Sequence, residues 1–225
     1  MKKLVFIVFL LVSVEVFAQS ERRTDFGGIV SAEASVALGG PFGLSVEEEL
    51  RFQDNFSQLD RWLNAFGVDY TCLHNRMNIG LNADYIRRLN KNGYYENRGR
   101  LGLQVTYTEE VQRFKIQVRS KVIGTFFDDR TGEHRVNPRL YWRNRLKVTY
   151  QKPNSRWKYA LSAELFWLTN DPRGSYVDNL RTVLSVDYRL ARRYSLSAFV
   201  RMDNDLQVKE PTDRFYLGLT LKAKY

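Results

Sequence analysis

The sequence predicts an all-β fold: a closed antiparallel transmembrane β-barrel of about 10 to 12 strands, with 12 preferred, and a charged lumen. Apolar and polar residues alternate along segments of about 12 to 16 residues. Aromatic residues gather near the segment ends, and short and long connections alternate. Strands in soluble sandwiches usually have about five or six residues, whereas a strand needs roughly 9 to 11 to cross hydrocarbon. The long segments therefore favour the barrel.

The first residues predict a signal peptide. Two lysines precede an apolar run from Leu4 to Val14, and Ala18 stands where a signal peptidase cuts. We therefore expect a signal peptide over residues 1–18 and one barrel domain over residues 19–225. The residue after the cut is Gln19 rather than cysteine, so the lipoprotein route is closed. Because Cys72 is the only cysteine, disulfides do not stabilise the fold.

The first predicted hairpin places carboxylates inside the barrel. A short turn at residues 39–41 pairs Glu33 with Glu47 and Ser31 with Glu49. We therefore expect Glu33, Glu47 and Glu49 to form an acidic cluster on one wall of the lumen.

The middle strands place cations inside the barrel. Between residues 95 and 108, Leu101 and Leu103 share one face while Arg98 and Arg100 share the other. The next two segments, 114–126 and 139–150, repeat this pattern. The resulting basic cluster of the lumen consists of Arg98, Arg100, Lys115, Arg119, Lys121, Arg139, Arg143, Arg145 and Lys147.

The connections alternate in length. Short turns are predicted near residues 39–41, 73–75, 109–110, 152–155 and 191–192, and longer loops near 54–58, 90–93, 128–137, 170–175 and 205–212. Short turns facing the periplasm and longer loops facing outward are typical of outer-membrane barrels. These connections separate 11 candidate segments, and single-chain bacterial barrels normally have an even number of strands, so 12 is preferred.

Some residues do not fit simple alternation. Glu48 falls on the apolar face beside small residues, and one hypothesis is a partner surface formed by Gly28, Ala32, Ala34 and Glu48. The favoured alternative is an interfacial position for Glu48, or a β-bulge at residues 47–49 that turns it inward.

Three other polar residues also fall on apolar faces. Asn64 and Asn144 predict local shifts of register. Asp178, near the start of a strand, is expected to reach the interface.

Two functional interpretations follow from the charged lumen. In one, opposite charges neutralise each other and plug the barrel, which then serves as a structural or interaction barrel: an adhesin, a partner platform or a lipopolysaccharide contact. In the other, water separates the walls, and the excess of Arg and Lys favours a narrow pore for small polar or anionic solutes. Arg130, Arg135 and Arg173 in the longer loops are candidates for contacts with lipopolysaccharide phosphates.

Catalysis is the least favoured class, and no catalytic residue, metal or cofactor is expected. The chain has two histidines, and only His134 shares a loop with carboxylates: Asp128, Asp129 and Glu133. An outer-rim hydrolase or a hard-cation site could use these groups, but the loop lacks the ordered spacing of a calcium loop, and a solvated loop explains it more simply. Nucleic acid is not an expected partner despite the net charge of +10, because a signal peptide exports the chain.

Short runs carry a resemblance to a known family. Residues 45–52, 58–61, 143–146 and 163–166 resemble the domain of unknown function 2490 family, small outer-membrane barrels of Gram-negative bacteria. The resemblance covers almost the whole chain after residue 18 and implies a barrel in the cell outer membrane, with no catalytic residues to transfer. The last segment alternates cleanly and ends on Tyr225, which resembles the terminal strand read by the barrel insertion machinery. Expected partners are therefore that machinery, outer-membrane lipids and lipopolysaccharide.

Overall fold

Eleven β-strands close into one barrel in the part of the chain that the computed structural model describes, residues 22–90, 92–128, 136–208 and 210–225. The strands are β1 (Arg23–Ala37), β2 (Phe42–Gln53), β3 (Gln58–Cys72), β4 (Met77–Leu89), β5 (Tyr95–Val111), β6 (Phe114–Phe127), β7 (Arg139–Tyr150), β8 (Trp157–Leu168), β9 (Tyr176–Arg189), β10 (Tyr194–Asp205) and β11 (Thr212–Lys224). No helix among these residues is long and apolar enough to span a membrane. The predicted signal peptide lies outside the described residues.

The barrel closes through a parallel pair. Every consecutive pair of strands is antiparallel, but β1 pairs in parallel with β11, from Arg23 with Thr212 to Ser35 with Lys224. Since successive strands reverse direction, the first and last of an odd number run the same way. The predicted range of strand number is confirmed, whereas the preference for 12 and a wholly antiparallel sheet is wrong.

The connections alternate between the two ends of the barrel. The short-turn end carries the turns at 38–41, 73–76, 112–113, 151–156 and 190–193, together with the end of β11. At the long-loop end, β2, β4, β6, β8 and β10 end, and β1 starts. One expected turn is misplaced, because β5 continues through Glu110 and Val111, which pair with Lys115 and Phe114. The chain reverses instead at Gln112, which has a φ of 57°.

Outward-facing side chains are mostly large and apolar. Leu101, Leu103 and Leu217 are 59%, 51% and 60% exposed, far more than core residues of a soluble domain would be. Cross-strand aromatic pairs mark both ends of this surface. At the short-turn end they are Phe42 with Tyr70, Phe114 with Tyr150, Trp157 with Tyr188 and Tyr194 with Tyr225; at the long-loop end they are Phe26 with Phe215 and Trp142 with Trp167.

Two β-bulges interrupt the ladders near the long-loop end. Asp60 is the extra residue in β3 where the register with β2 shifts at Arg51 and Phe52. Asp178 is the extra residue in β9 where the register with β8 shifts at Phe166 and Trp167. Asp178 therefore belongs to a bulge. Counting alternate residues from the start of β9 does not predict this bulge.

The bulge predicted at residues 47–49 is wrong. Glu48 pairs in unbroken register with Ala32 and Asn64, so its side chain stays on the outward face and is exposed. The register is also unbroken at Asn64 and Asn144, which the sequence predicted to be sites of local shifts. These polar side chains are outward-facing residues of regular strands.

Candidate functional site in the barrel lumen

The two predicted charged clusters both lie on the inward face. Glu33 pairs with Glu47, and Ser31 pairs with Glu49, in the register expected from the first turn. All nine residues of the basic cluster lie on the inward face of β5, β6 and β7. The structure therefore places the acidic cluster on β1 and β2 and the basic cluster on the other side of the barrel.

The basic cluster pairs with carboxylates that the sequence analysis did not single out. Glu164 on β8 accepts hydrogen bonds from Arg119 at 2.6 Å and Arg143 at 2.9 Å. Arg100 pairs with Asp84 at 2.8 Å. Asp84 and Glu164 belong to the alternating polar faces of β4 and β8, so alternation could have identified them as inward-facing. Within the acidic cluster, Glu49 pairs with Arg51 at 2.6 Å, whereas Glu33 and Glu47 form no ion pair with any residue that the structure describes.

Solvent exposure falls from each mouth toward the middle of the lumen. At the short-turn mouth, the side chains of Lys115 and Glu110 are 45% and 71% exposed. In the interior, the side chain of Arg51 is 5% exposed. Near the long-loop mouth the exposed fraction is higher again, at 34% for the side chain of Arg88. The lumen therefore narrows inside the barrel rather than at either mouth.

Arginines flanking an aromatic ring fill the narrow region. Tyr216 on β11 has the guanidinium carbons of Arg51 and Arg201 at 5.2 and 5.4 Å from its ring centroid. Phe166 on β8 has those of Arg143 and Arg181 at 4.1 and 4.7 Å. Such cation–π contacts contribute about 0.5 to 2 kcal/mol each, more when water is excluded.

Buried apolar side chains complete this region. Ile29, Leu63 and Ile86 face inward and are nearly fully buried. We name the closure layer as Ile29, Arg51, Leu63, Ile86, Phe166, Arg201 and Tyr216. Alternation predicts that these positions face inward, and the large aromatic residues Phe166 and Tyr216 on otherwise polar faces are the sequence signal that indicates the layer.

Carboxylates anchor the arginines of the closure layer. Asp203 on β10 accepts hydrogen bonds from Arg201 and, at 2.8 Å, from Arg181. Asp203, Arg201 and Arg51 are all buried. Because buried charges are tolerated only when paired and hydrogen-bonded, this arrangement holds the layer in one geometry.

Several small residues line the half of the lumen toward the short-turn end, among larger side chains such as Asp69, Asn82 and Gln104. The small residues include the inward-facing Ser45, Gly67, Gly80, Ala160, Ser185 and Ser197. We call this space the short-turn vestibule. Five of its charged side chains form no ion pair with a described residue: Glu33, Glu47, Lys121, Arg145 and Lys147.

The residues of the predicted partner surface do not form one continuous open strip. Ala32 and Ala34 are outward-facing and exposed. The ring of Phe56 covers Gly28 so closely that a β-carbon there would lie 2.7 Å from it. Glu48 is exposed and accepts a hydrogen bond of 3.0 Å from the indole N–H of Trp62.

A cavity of about 320 Å³ lies at the long-loop end. Its lining consists of Val136, Arg139, Leu168, Asn170, Asp171, Pro172 and Arg173. The side chain and backbone N–H of Arg173 hydrogen-bond Asp171 and lower the pKa of that carboxyl to about 2. Arg173 is therefore already paired at neutral pH, which weakens its expected role in contacting phosphates.

The predicted loop site falls mostly outside the described residues. Five of the residues singled out in this loop lie outside the described residues: Asp129, Arg130, Glu133, His134 and Arg135. Among the residues that the structure does describe, no group of three or more His, Cys, Asp or Glu side chains could hold a metal ion.

A comparison with protein families decides the relationship of this chain. The model of the family described as protein of unknown function (DUF2490) matches residues 26–213. The chain belongs to this family. The DUF2490 match runs from β1 into β11 and so includes the closure layer except Tyr216, which lies just beyond it. No curated protein matches the chain.

Proposed function

We propose that this DUF2490 protein is an integral barrel of the Gram-negative outer membrane that the closure layer keeps shut, so that it serves as a structural or interaction barrel. The observation that carries the proposal is Tyr216 held between Arg51 and Arg201, with Asp203 fixing Arg201. This contact joins β2, β10 and β11 inside the barrel, on the side of the wall where these strands and β1 are neighbours.

The outward surface supports a membrane location. A band of exposed leucine, valine and phenylalanine side chains surrounds the barrel, and aromatic pairs flank it at both ends. Aromatic girdles at the two interfaces are typical of transmembrane barrels. The inward position of nearly all strand charges also fits a lipid-facing exterior.

The connections support an orientation. Short turns of outer-membrane barrels face the periplasm, and longer loops face outward. The short-turn end would then face the periplasm, with Tyr225 ending the strand that insertion machinery reads. The long-loop end would meet lipopolysaccharide.

The pairing of charges in the closure layer supports a lumen that is closed to ions. Opening the layer would leave Arg51, Arg201 and Asp203 without partners in a confined interior, and breaking a buried pair costs about 3 to 5 kcal/mol. Water can replace part of that stabilisation only where it has room to enter. The resting barrel is therefore expected not to conduct.

Planar-bilayer recording of the purified barrel tests the proposal. Wild-type protein should show no unitary conductance, whereas combined Arg51→Ala, Arg201→Ala and Tyr216→Ala should open a steady, measurable channel. The matched control, Glu110→Ala with Lys115→Ala at the exposed mouth, should stay silent. Steady unitary currents in the wild type would overturn closure.

A narrow anion pore is the second candidate, favoured by Lys121, Arg145 and Lys147 of the lumen, which form no ion pair within the described part of the chain. It predicts anion-selective currents in the wild type, measured as a shift of the reversal potential in a salt gradient. Silence of the wild type, or cation selectivity, would contradict it.

A further inference from the structure

We propose that the short-turn vestibule binds a small dipolar solute, a short peptide with free termini, between a basic wall (Lys121, Arg145 and Lys147) and an acidic wall (Glu33 and Glu47). The proposal rests on the interior of the barrel and does not require the closure layer to block ion flow.

The two walls face each other across the barrel. In the closed order of strands, β7 is the fifth strand from β1 in one direction and the fifth from β2 in the other. Arg145 and Lys147 on β7 therefore lie opposite Glu33 on β1 and Glu47 on β2. Lys147 and Glu33 lie within electrostatic reach of each other.

The cations of the basic wall form no ion pair with a described residue. Arg145 lies directly opposite Glu164 in the β7 and β8 ladder, yet Glu164 gives its oxygens to Arg119 and Arg143. Asp187, which lies within electrostatic reach of Lys147, pairs instead with Lys222 at 2.9 Å. Glu164 and Asp187 are thus already engaged, so Arg145 and Lys147 can receive an anionic group. Lys121 beside them has Asp69 within electrostatic reach but forms no ion pair with a described residue.

The two carboxylates of the acidic wall likewise form no ion pair with a described residue. Glu33 and Glu47 are direct cross-strand partners, an arrangement that is unfavourable for two like charges. The arginines nearest to them pair elsewhere, Arg51 with Glu49 and Arg100 with Asp84. A cationic group placed between Glu33 and Glu47 would relieve this repulsion.

The width of the vestibule selects the size of the solute. With strands about 4.8 Å apart and tilted by about 40°, eleven strands close into a ring roughly 22 Å across. Side chains from the two walls occupy about half of that width, which leaves roughly 10 Å between the charged groups. An extended chain advances about 3.3 to 3.6 Å per residue, so a peptide of about three residues spans the gap.

The rest of the lining suits such a peptide. Ser45, Ser185 and Ser197 face the same space with hydroxyl groups. The side chains of Asn82 and Gln104, which lie close to Gly67 and Gly80, add amide groups. Neutral hydroxyls can hydrogen-bond peptide groups without competing for the charged termini. A simple anion, by contrast, would meet the acidic wall with no compensating contact.

Isothermal titration of the detergent-solubilised barrel with trialanine tests the inference. Four probes are used: trialanine, its N-acetyl form, its C-terminal amide and the doubly blocked form. Unmodified trialanine should bind, and blocking either terminus should weaken binding at least tenfold. Equal affinity for all four probes, no heat of binding at millimolar trialanine, or tighter binding of inorganic phosphate would each overturn the proposal.

Paired substitutions assign each terminus to its wall. Lys121→Gln with Lys147→Gln should weaken trialanine binding about tenfold and abolish the distinction between trialanine and its amide. Glu33→Gln with Glu47→Gln should abolish the distinction between trialanine and its N-acetyl form. Arg192→Gln, in the turn between β9 and β10, is the matched control and should change neither.

Two checks keep the outcomes separate. Heat-modifiable mobility in gel electrophoresis shows whether each variant forms a barrel. Loss of trialanine binding in a variant that folds therefore supports the proposed binding site. A conducting wild type that still distinguishes blocked from free termini would overturn closure alone. A silent wild type that binds all four probes equally would overturn the peptide site alone.

Discussion

Glu164 illustrates the balance of charge at the scale of single residues. Its side chain is 5% exposed and holds two arginines, Arg119 and Arg143, that would otherwise repel each other. We expect Glu164→Gln to lower the free energy of unfolding by about 3 kcal/mol, because removing one partner leaves buried charges uncompensated. Urea unfolding in lipid vesicles measures this change.

The matched control for Glu164 is Glu110→Gln. Glu110 is 71% exposed, and its pair with Lys115 is expected to contribute less than about 1 kcal/mol. An equal loss of stability in the two variants would show that burial does not decide the strength of these pairs.

Glu48 gives a second prediction at the residue scale. On the proposed membrane face, its outward carboxylate has only the Trp62 indole as a hydrogen-bond donor among the described residues. Glu48→Leu should therefore raise the free energy of unfolding in lipid vesicles by about 1 kcal/mol, since removing a charge from that face is favourable. The neighbouring outward substitution Val46→Leu should change it by less than about 0.5 kcal/mol. Destabilisation, or loss of an oligomer in native membranes, would instead support a partner surface at Glu48.

The directions of the side chains were predictable from the sequence, but their partners were not. The period of two residues placed Glu33, Glu47 and Glu49 inward once the first turn was recognised. The pair formed by Arg119 on β6 and Glu164 on β8 joins strands that are not neighbours, so it depends on the stagger of the whole sheet. Local alternation carries no information about that stagger.

The start of β1 gives a prediction at the scale of elements. A β-carbon on Gly27 would lie 2.1 Å from the backbone oxygen of Phe52, which cannot move without breaking the ladder between β1 and β2. Gly27→Ala should therefore lower the free energy of unfolding by about 2 kcal/mol or more. The temperature at which the barrel loses its heat-modifiable mobility measures the effect.

Gly99→Ala is the control within another strand. No heavy atom lies within 4 Å of a β-carbon added at Gly99, so this variant should be as stable as the wild type or slightly more stable. If Gly99→Ala lowered the free energy of unfolding as much as Gly27→Ala, steric contact would not explain the destabilisation by Gly27→Ala.

Strand positions were predicted more accurately than strand irregularities. Nine of the ten connections agree in order and approximate place with the sequence, because turn residues interrupt the alternation clearly. The turn after β5 was placed too early because Glu109 and Glu110 read as a polar turn, although Glu110 continues the inward face. The bulges at Asp60 and Asp178 were missed because a single inserted residue leaves the pattern on either side of it intact.

The orientation of the whole molecule can be tested in cells. In a Cys72→Ser background, we expect Pro172→Cys in a long loop to react with a membrane-impermeant maleimide on intact cells. Lys152→Cys in a short turn should react only after the outer membrane is permeabilised. The reverse pattern would contradict the proposed orientation, and labelling of neither site in permeabilised cells would contradict exposure of these connections.

The parallel seam between β1 and β11 determines how the chain must assemble. Every other neighbouring pair can form as a local hairpin, but Arg23 meets Thr212 only after all the intervening strands exist. Since contacts between distant residues form slowly, we expect ring closure to be the last and slowest step of folding. The seam also places the start of β1 and the end of β11 at opposite mouths of the barrel. A circular permutant would thus need a linker as long as the barrel is tall, unlike barrels whose terminal strands are antiparallel.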